Sequence, residues 1–332
     1  MLETSRGPYT VTSETFDSIS AYWRDQRSPL SWDCLFVLPP WLKAWWRQFG
    51  TGLTPHLCAV RHDGEPIGIA PLVVQAACAR LMGHTDVCDC LDVVVAPGRG
   101  PEFFTTLIGH LRRRGVTLLD LRVLRPDSTV LTELPHVASG LNCEVWCEPE
   151  DFTFELDLPD TWDGFLQILN PKQRHEIRRK LRRLHEAGSV NYRVVAEEED
   201  VREQMETFLT LFALNREDKA TFMTAQMTAF FRSLAAAMAQ ARILKLFFLE
   251  LNGTLAAGVM CFDYKDTLYL YNNGYDRRFR ALSVGLLSKI FSIQDSIQRG
   301  RKKYDFLKGT EAYKHRLGGK SVPLSRCRVK LR

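Results

Sequence analysis

The spacing of apolar residues predicts the same series of strands and helices twice along the chain, with the copies about 185 to 190 residues apart. Alternating apolar and polar positions flank Asp63-Gly64 in the first copy and Asn252-Gly253 in the second. Both dipeptides tolerate the positive φ of a two-residue turn, so each is predicted to close an antiparallel hairpin. The predicted hairpin strands cover residues 57–61, 66–74, 243–250 and 255–263.

The elements after each hairpin also repeat. A third strand-like run is followed by a loop, an amphipathic helix and a final strand, so each copy is predicted to build a mixed sheet with a crossover helix packed on it. These runs are 87–95, 103–114 and 116–123 in the first copy, and 267–273, 284–299 and 303–307 in the second.

One short pattern supports a duplication. Each predicted helix ends before a glycine, Gly115 or Gly300, which suits the left-handed residue just past a helix. Five residues beyond each glycine an aspartate, Asp120 or Asp305, lies within the final strand. The matched Arg-Gly-x4-Asp in both copies indicates that one unit has been duplicated.

The chain is therefore predicted to be an α/β protein with two tandem domains, 1–158 and 159–332. A length of 332 residues agrees with this number, because domains average roughly 150 residues. The boundary follows one more predicted strand, 152–158, and precedes a helix for which Asp160 or Thr161 is a suitable N-cap.

Composition and charge narrow the class of protein. The chain has 45% hydrophobic and 25% charged residues, as an ordinary globular protein does. It has no apolar run of about 18 to 20 residues and no apolar leader, so we expect a cytoplasmic protein. The net charge of +5 divides into −8 over residues 1–160 and +13 over residues 161–332, so the second half is expected to attract anions.

The nine cysteines lie mostly in apolar runs and are predicted to be reduced, buried thiols. Cys88 with Cys90 and Cys143 with Cys147 lack the Cys-x-x-Cys spacing. Neither pair has a histidine or cysteine partner at a finger-like interval, so no metal site is predicted.

A basic loop lies between the third strand and the helix of the second copy. Ser283 and Gly285 are small enough for backbone N–H groups to approach a phosphate at the positive end of the helix, and Arg278 and Arg280 supply charge. An ordinary polar turn before a helix fits the spacing equally well.

The loop and its surroundings resemble the GNAT N-acyltransferases. The coenzyme A loop of that family has the form Arg/Gln-x-x-Gly-x-Gly/Ala, which Arg280-x-x-Ser283-x-Gly285 matches with serine in place of the first glycine. The order of motifs over nearly the whole chain is similar to the double-domain FemAB-like and CelD-like acetyltransferases, above all in the segments 304–309 and 313–314.

The resemblance implies two tandem GNAT-like domains and an acyl-CoA-dependent N-acyltransferase, with acyl-CoA as co-substrate and no metal. A small-molecule amine would attack the thioester directly, with the acceptor in a cleft between the domains. The first domain, in which 96–101 replaces the basic loop, is expected to be degenerate and to bind no coenzyme A. The resemblance assigns donor binding to Arg278, Arg280, Leu282, Ser283, Val284, Gly285 and Asn273.

The resemblance also supplies two candidate catalytic residues, and an aspartate inside a predicted strand is a third. Tyr313 is the candidate acid for the leaving thiolate, Lys314 is the candidate cation for the developing negative charge, and Asp305 is a candidate for acting on the amine. Each has a structural alternative: a buried tyrosine bonded to backbone, an exposed lysine, and an aspartate that accepts hydrogen bonds from its neighbours. For Asp305 the equivalent Asp120 favours the structural role, and no general base is assigned.

A basic amphipathic helix is predicted over 171–184, with Ile177, Leu181 and Leu184 on one face and seven Lys and Arg residues around it. Its candidate partners are the phosphates of coenzyme A, an anionic membrane surface and a tRNA carrier, and a merely solvated helix explains it equally well. Nucleic acid is disfavoured because no RNA-binding module accompanies the helix.

Two other functions stay open. One is an aminoacyl-tRNA-dependent, FemX-like transferase, and the other is a non-catalytic GNAT-like module that binds polysaccharide or lipid head groups. The sequence predicts neither the acceptor, nor the acyl chain length, nor the oligomeric state.

Overall fold

The computed structural model describes residues 8–83, 86–215 and 221–331. Two compact units divide the chain: residues 1–152 together with 322–332 form the first, and residues 153–321 form the second. The predicted boundary lies six residues further along, after residue 158. The sequence prediction also gave the last segment to the second domain, whereas its contacts are with the first unit.

The first unit is a mixed sheet with helices. Its elements are β1 (Tyr9–Ser13), α1 (Phe16–Arg24), α2 (Pro39–Phe49), β2 (Thr54–His62), β3 (Glu65–Gln75), β4 (Cys78–Leu81), β5 (Val94–Val95), α3 (Gly100–Arg113), β6 (Leu118–Leu124), α4 (Thr129–Gly140), the first part of β7 (Glu144–Asp157) and most of β13 (Lys320–Lys330). The strand order is β1-β2-β3-β4-β6-β13-β7, and β5 pairs with β3.

The predicted first copy is present with one correction. The β2–β3 hairpin turns at Asp63-Gly64, where both residues have positive φ, and β4 runs parallel to β6. The strand predicted over 87–95 is wrong, because β4 takes that place and only Val94–Val95 is extended and paired. Most of 87–95 is a buried loop, and its apolar residues pack into the core without joining a ladder.

The C-terminal strand lies between β6 and β7 in the first unit. A disulfide joins Cys147 of β7 to Cys327 of β13, so the prediction of reduced thiols is wrong for this pair. The two cysteines are 180 residues apart in sequence, and only the strand pairing brings them together. Local spacing along the chain therefore gave no sign of the bond.

The second unit is also a mixed sheet. Its elements are the end of β7, α5 (Trp162–Ile168), α6 (Pro171–Glu186), β8 (Val190–Val195), α7 (Glu198–Asn215), α8 (Ala225–Gln240), β9 (Leu244–Leu251), β10 (Thr254–Tyr264), β11 (Thr267–Tyr275), α9 (Val284–Gln298), β12 (Lys303–Lys308) and α10 (Ala312–Arg316). The strand order is β7-β12-β11-β10-β9-β8. Every predicted strand and helix of the second copy is found within two residues of its predicted ends.

Helices cover both faces of this sheet. On one face α5, α6 and α9 bury a continuous apolar core, to which Phe165, Ile177 and Ile290 contribute. On the other face α7 crosses β10 and β11, and its backbone at Leu211 approaches so closely that a Cβ on Gly274 would lie 2.4 Å from it. Glycine at 274 is therefore required for this helix to pack on the sheet.

The two parallel strands in the middle of the second unit separate towards their carboxyl ends. β11 and β12 pair from Thr267 with Lys303 to Tyr269 with Asp305, and β11 then continues for six residues beyond the last paired position. Both strands are irregular near this point: the pairing of β10 with β11 shifts after Met260, and that of β12 with β7 shifts after Asp305. The sheet is therefore open where the chain leaves β11 for α9 and β12 for α10.

Within the described ranges no helix is both long and apolar enough to cross a lipid bilayer.

Candidate donor site

The basic loop after β11 forms a 3-10 helix, Arg277–Leu282, which Asp276 caps. The Asp276 carboxylate accepts hydrogen bonds from the Arg278 backbone N–H at 2.9 Å and from its guanidinium at 2.6 and 2.9 Å. The Arg278 hydrogen bonds lower the pKa of Asp276 below its ordinary value. Arg278 is thereby held on the loop surface, whereas Arg280 forms no ion pair with any residue that the structure describes.

Ser283 connects the 3-10 helix to α9 in a left-handed conformation, with φ 59° and ψ 32°. Glycine adopts this conformation without strain, which is why the related loops have glycine there. Here the serine hydroxyl accepts a hydrogen bond from Lys180 Nζ of α6 at 2.8 Å. Serine at position 283, where the resembled loop has glycine, therefore keeps the same backbone conformation. Its hydroxyl also binds Lys180, a cation of the basic helix α6.

The first turn of α9 presents backbone donors. Ser283 makes no side-chain cap for this helix, and the N–H groups of Val284 and Gly285 donate to no described residue. The Tyr275 ring packs on Gly285, and a Cβ at 285 would lie 2.6 Å from its Cδ1 atom. A small residue at 285 therefore lets the ring and the helix terminus meet, and the positive end of the helix dipole adds to the attraction for an anion.

These groups line a cavity of about 290 Å³ within the second unit. Its wall comes from the end of β11, the 3-10 helix, the first turns of α9, and α10. The lining residues are Tyr275, Arg280, Ser283, Gly285, Leu286, Lys289 and Tyr313. The cavity therefore lies between the end of β11 and α10, beside the Gly285 N–H group at the start of α9.

Lys289 brings a second cation to this cavity, and unlike Arg280 it is buried. Its side chain is only 4% exposed, and Nζ donates a hydrogen bond to the Gly285 carbonyl at 2.6 Å. Nζ also lies 4.6 Å from the centre of the Tyr313 ring, a cation–π distance. Because helical side chains lean towards the N-terminus, Lys289 carries its charge back to the first turn of α9.

Tyr313 faces the cavity from α10, where it also contacts Phe306 of β12. Burial raises the pKa of Tyr313 above that of an ordinary tyrosine, and the neighbouring Glu311 adds to the effect. The phenol keeps its proton at neutral pH, as that of an ordinary tyrosine does, and the raised pKa makes it a weaker acid until a bound ligand changes its surroundings.

Lys314 points away from this cavity. It is 1% exposed, and Nζ donates to the carbonyl oxygen of Leu307 at 2.8 Å and to that of Lys308, and it lies 3.2 Å from the Glu311 carboxylate. The expected alternative, an exposed lysine, is wrong. The hydrogen bonds of Lys314 instead connect α10 to the end of β12. Its predicted role in stabilising the negative charge of the reaction stays a prediction.

Asp305 is likewise bonded inside the protein. Its carboxylate accepts from the Thr153 hydroxyl at 3.0 Å and from the Leu307 N–H at 2.8 Å, and Leu307 has a positive φ of 59°. The hydrogen bonds hold the irregular turn of β12. Asp305 is not among the cavity-lining residues, and its action on an amine stays a prediction.

The other predicted donor residues lie around the cavity without lining it. Asn273 is half-buried in β11, Leu282 is half-buried at the end of the 3-10 helix, and Val284 is fully buried. Neither the side chain nor the backbone of Val284 is exposed, so its predicted contact with the donor is not supported by the structure. The sequence prediction missed Lys180, Tyr275 and Lys289, although Lys289 follows Gly285 by four residues and so lies on the same helix face.

Residues 171–315 match the acetyltransferase (GNAT) domain family. Most of the second unit is therefore similar to the GNAT acetyltransferase domains.

Solved structures share the fold over nearly the whole chain. FemX matches with a TM-score of 0.65 at 13% identity and covers 96% of each chain. A conserved protein of unknown function from Bacteroides thetaiotaomicron VPI-5482 matches with a TM-score of 0.58 at 12% identity, covering 96% of this chain and 99% of its own. L-PGS from Bacillus licheniformis matches with a TM-score of 0.53 at 9% identity, covering 88% and 90%. A sequence search of curated proteins gives no match.

Proposed function

We propose that the protein is an acyl-CoA-dependent N-acyltransferase whose donor binds in the second unit. The observation that supports this most directly is the cavity at the start of α9, where the Gly285 N–H group, Arg280 and Lys289 surround one space. A diphosphate is the part of an acyl-CoA that such a set of donors suits. The GNAT domain match over 171–315 supports the same assignment.

The donor diphosphate is bound by groups from three elements. The Gly285 N–H group is the proposed donor from α9, and the Arg280 guanidinium approaches from the 3-10 helix. Lys180 reaches the same loop from α6 through its hydrogen bond to Ser283, and Lys289 reaches it from inside the cavity. Together the three cations balance the charge that a diphosphate brings.

The thioester end of the donor lies in the gap between β11 and β12. Backbone N–H groups at the end of β11, over 271–274, are the proposed donors to the carbonyl oxygen as it gains charge. The amine nitrogen bonds to the carbonyl carbon, the carbon–sulfur bond breaks, and the thiolate takes the Tyr313 proton. The proton lost by the attacking nitrogen passes to a base that we do not assign.

Lys314 and Asp305 act through position in this proposal. Lys314 holds the carbonyls at the end of β12, and Asp305 holds the turn before them. Both fix the separation of β12 from β11 and the placement of α10, which presents Tyr313. We therefore propose Lys314 and Asp305 as positioning residues, which act by holding β12 and α10 in place.

Titration calorimetry with coenzyme A, acetyl-CoA and a long-chain acyl-CoA tests the proposal. Arg280 and Arg278 provide a matched pair, since they are two residues apart and only Arg280 lines the cavity. We expect Arg280→Ala to weaken binding at least about tenfold, because a charge-assisted contact to phosphate is lost, and Arg278→Ala to weaken it less than about twofold.

Equal losses from both variants would place the diphosphate on the outside of the loop. Failure of the wild-type protein to bind any of the three thioesters would refute the proposal and favour the aminoacyl-tRNA-dependent or the non-catalytic function.

A further inference from the structure

The exposed face of α6 concentrates the positive charge of the second unit. Residues 153–321 contain 27 Lys and Arg against 21 Asp and Glu, a net charge of +6. Helix α6 alone contains seven Lys and Arg against two Glu, a net charge of +5. The remainder of the unit is therefore almost neutral.

The cations of this face are poorly paired. Lys172, Arg178 and Arg183 are exposed and form no ion pair with any described residue, and Arg182 only approaches Glu186 at 3.6 Å. Three exposed arginines elsewhere in the unit have close carboxylates: Arg232 with Glu206 at 2.5 Å, Arg278 with Asp276 at 2.6 Å, and Arg299 with Asp295 at 2.7 Å. Three others, Arg242, Arg280 and Arg316, form no ion pair with a described residue, but they are scattered over the unit, whereas the unpaired cations of α6 lie on one helix. Since like charges four residues apart disfavour a helix, an external anionic partner explains why α6 keeps them.

The helix itself is firmly packed. Ile177 is 3% exposed and Leu184 is fully buried in the core of the second unit, and the Arg174 guanidinium donates to the Leu166 and Leu169 carbonyls of the preceding segment. The cationic face is thus a rigid strip about 16 Å long from Lys172 to Arg183. Its apolar face is already occupied, so α6 would lie on a partner rather than insert into it.

An exposed apolar residue accompanies the strip. Ile168 ends α5, two residues before the Asn170–Pro171 start of α6, and its side chain is 48% exposed. A lipid headgroup region offers both anionic phosphate and an apolar boundary, whereas RNA offers phosphate but no apolar boundary. Helix α6 contains no Phe, Tyr or Trp for stacking on bases, and His175 and His185 are its only aromatic rings.

From this combination we infer that the exposed face of α6 docks the protein on an anionic lipid bilayer. Lys172, Arg178, Arg182 and Arg183 contact the lipid phosphates, and Ile168 contacts the boundary between headgroups and acyl chains. This surface is separate from the donor cavity: of the α6 cations, Lys180 is the one bonded to the loop that forms the cavity wall.

Co-sedimentation of the full chain with phosphatidylglycerol–phosphatidylcholine vesicles tests the inference, with pure phosphatidylcholine vesicles as the neutral comparison. Each Lys or Arg near an anionic surface contributes about fivefold to partition, so we expect Arg178→Gln, Arg182→Gln, Arg183→Gln to weaken binding roughly a hundredfold. Ile168→Ser is expected to weaken it about threefold or more. Added salt should weaken the wild-type interaction steeply.

A control variant removes the same charge from exposed sites outside α6: Arg202→Gln, Arg299→Gln, Lys302→Gln. It should retain vesicle binding to within a few fold, and circular dichroism should show that both triple variants are folded. Loss of binding in the control equal to that in the α6 variant, or binding to neutral vesicles equal to that of anionic ones, would overturn the inference. The inference would also be overturned if the protein did not bind vesicles but bound RNA, and if the Arg178, Arg182 and Arg183 substitutions abolished that RNA binding.

Discussion

Lys289 places a positive charge on the buried face of α9, where an apolar residue is usual. An ammonium that is 4% exposed costs free energy through lost hydration, even with the Gly285 carbonyl and the Tyr313 ring as partners. Such a cost is typical of residues kept for binding or catalysis.

For Lys289→Met we expect the free energy of unfolding to stay equal or rise, because Met fills the same space without a charge. Acetyl-CoA should bind about tenfold more weakly, since one cation facing the diphosphate is removed. Calorimetry and urea unfolding of the same preparation measure the two effects. A destabilised variant with unchanged affinity would show that Lys289 is a structural residue.

Tyr313→Phe tests the acid. The ring and its contact with Lys289 remain, so acetyl-CoA affinity should change less than about threefold. Loss of the proton donor should lower kcat about a hundredfold, the lower end of the range for general acid catalysis. Steady-state kinetics with thiol detection, on an amine that the wild-type protein acylates, gives both numbers.

Tyr304→Phe is the matched control for this change. Tyr304 is buried, its hydroxyl is bonded to Ser292 at 2.8 Å, and it does not line the cavity. Loss of the hydrogen bond between Tyr304 and Ser292 should lower the free energy of unfolding by about 1 kcal/mol and leave kcat nearly unchanged. A kcat that falls equally in both variants would remove Tyr313 from the reaction.

At the residue scale, the sequence predicts those site members that belong to one continuous loop. Arg280, Ser283 and Gly285 are recognisable by their spacing, and Tyr313 by its distance from Asp305. Lys180 is 103 residues from Ser283, so nothing in the sequence connects them. The resemblance singled out Lys314, but its burial depends on the Leu307 and Lys308 carbonyls, which approach it only in the folded chain.

Elements were predicted best where their ends have strong local signals. The glycines after α3 and α9 have φ of 76° and 71°, as the C-cap prediction requires, and the two hairpin turns lie at the predicted dipeptides. The misplaced strand at 87–95 shows where such signals are missing. There Asp92 turns its carboxylate to the N–H groups of Thr129 and Val130 and so holds an apolar segment as a loop.

Two histidines on neighbouring elements give the first unit a pH dependence. Nε2 of His56 in β2 and Nε2 of His110 in α3 are 3.3 Å apart. Burial, with His110 and Arg114 nearby, lowers the pKa of His56 from 6.5 to about 4. In the unfolded chain the His56 imidazole is protonated below about pH 6.5, whereas in the folded chain it stays neutral down to about pH 4. The free energy of unfolding therefore decreases as the pH falls from 6.5 to 4.

In the His56→Leu variant the decrease in stability that His56 causes between pH 6.5 and 4 should be absent. The difference in urea midpoint between wild type and variant is expected to be constant above pH 6.5 and to move in favour of the variant as the pH falls towards 4. Burial raises the pKa of Asp92 to about 6, which opposes the histidine effect, but that contribution is present in both proteins and cancels in the difference. A difference independent of pH would contradict the assignment.

At the scale of the whole molecule, the duplication and the division of charge were visible in the sequence, whereas the path of the last strand was not. Strand β13 pairs over Ser325–Lys330 with β6, whose residues lie about 200 positions earlier, and no local pattern encodes a partner at that distance. Leu324, Cys327 and Val329 are fully buried there.

Truncation after Ser321 is therefore expected to disrupt the first unit while leaving the second intact. The β6 and β7 edges would lose their common neighbour, and three fully buried side chains would be missing. We expect exchange protection of amide hydrogens to collapse in β6 and the first part of β7 and to persist in β9 and β10. Equal loss in all four strands would show that the two units unfold together.

The position of β13 also fixes an order of events during synthesis. The first unit lacks a strand from the interior of its sheet until residues 322–332 have been made, after the 169 residues of the second unit. At about 5 to 20 residues per second the ribosome needs roughly 10 to 30 s for that stretch. Throughout this interval the nascent chain exposes two unpaired edges, so the unit that is translated first is the one completed last.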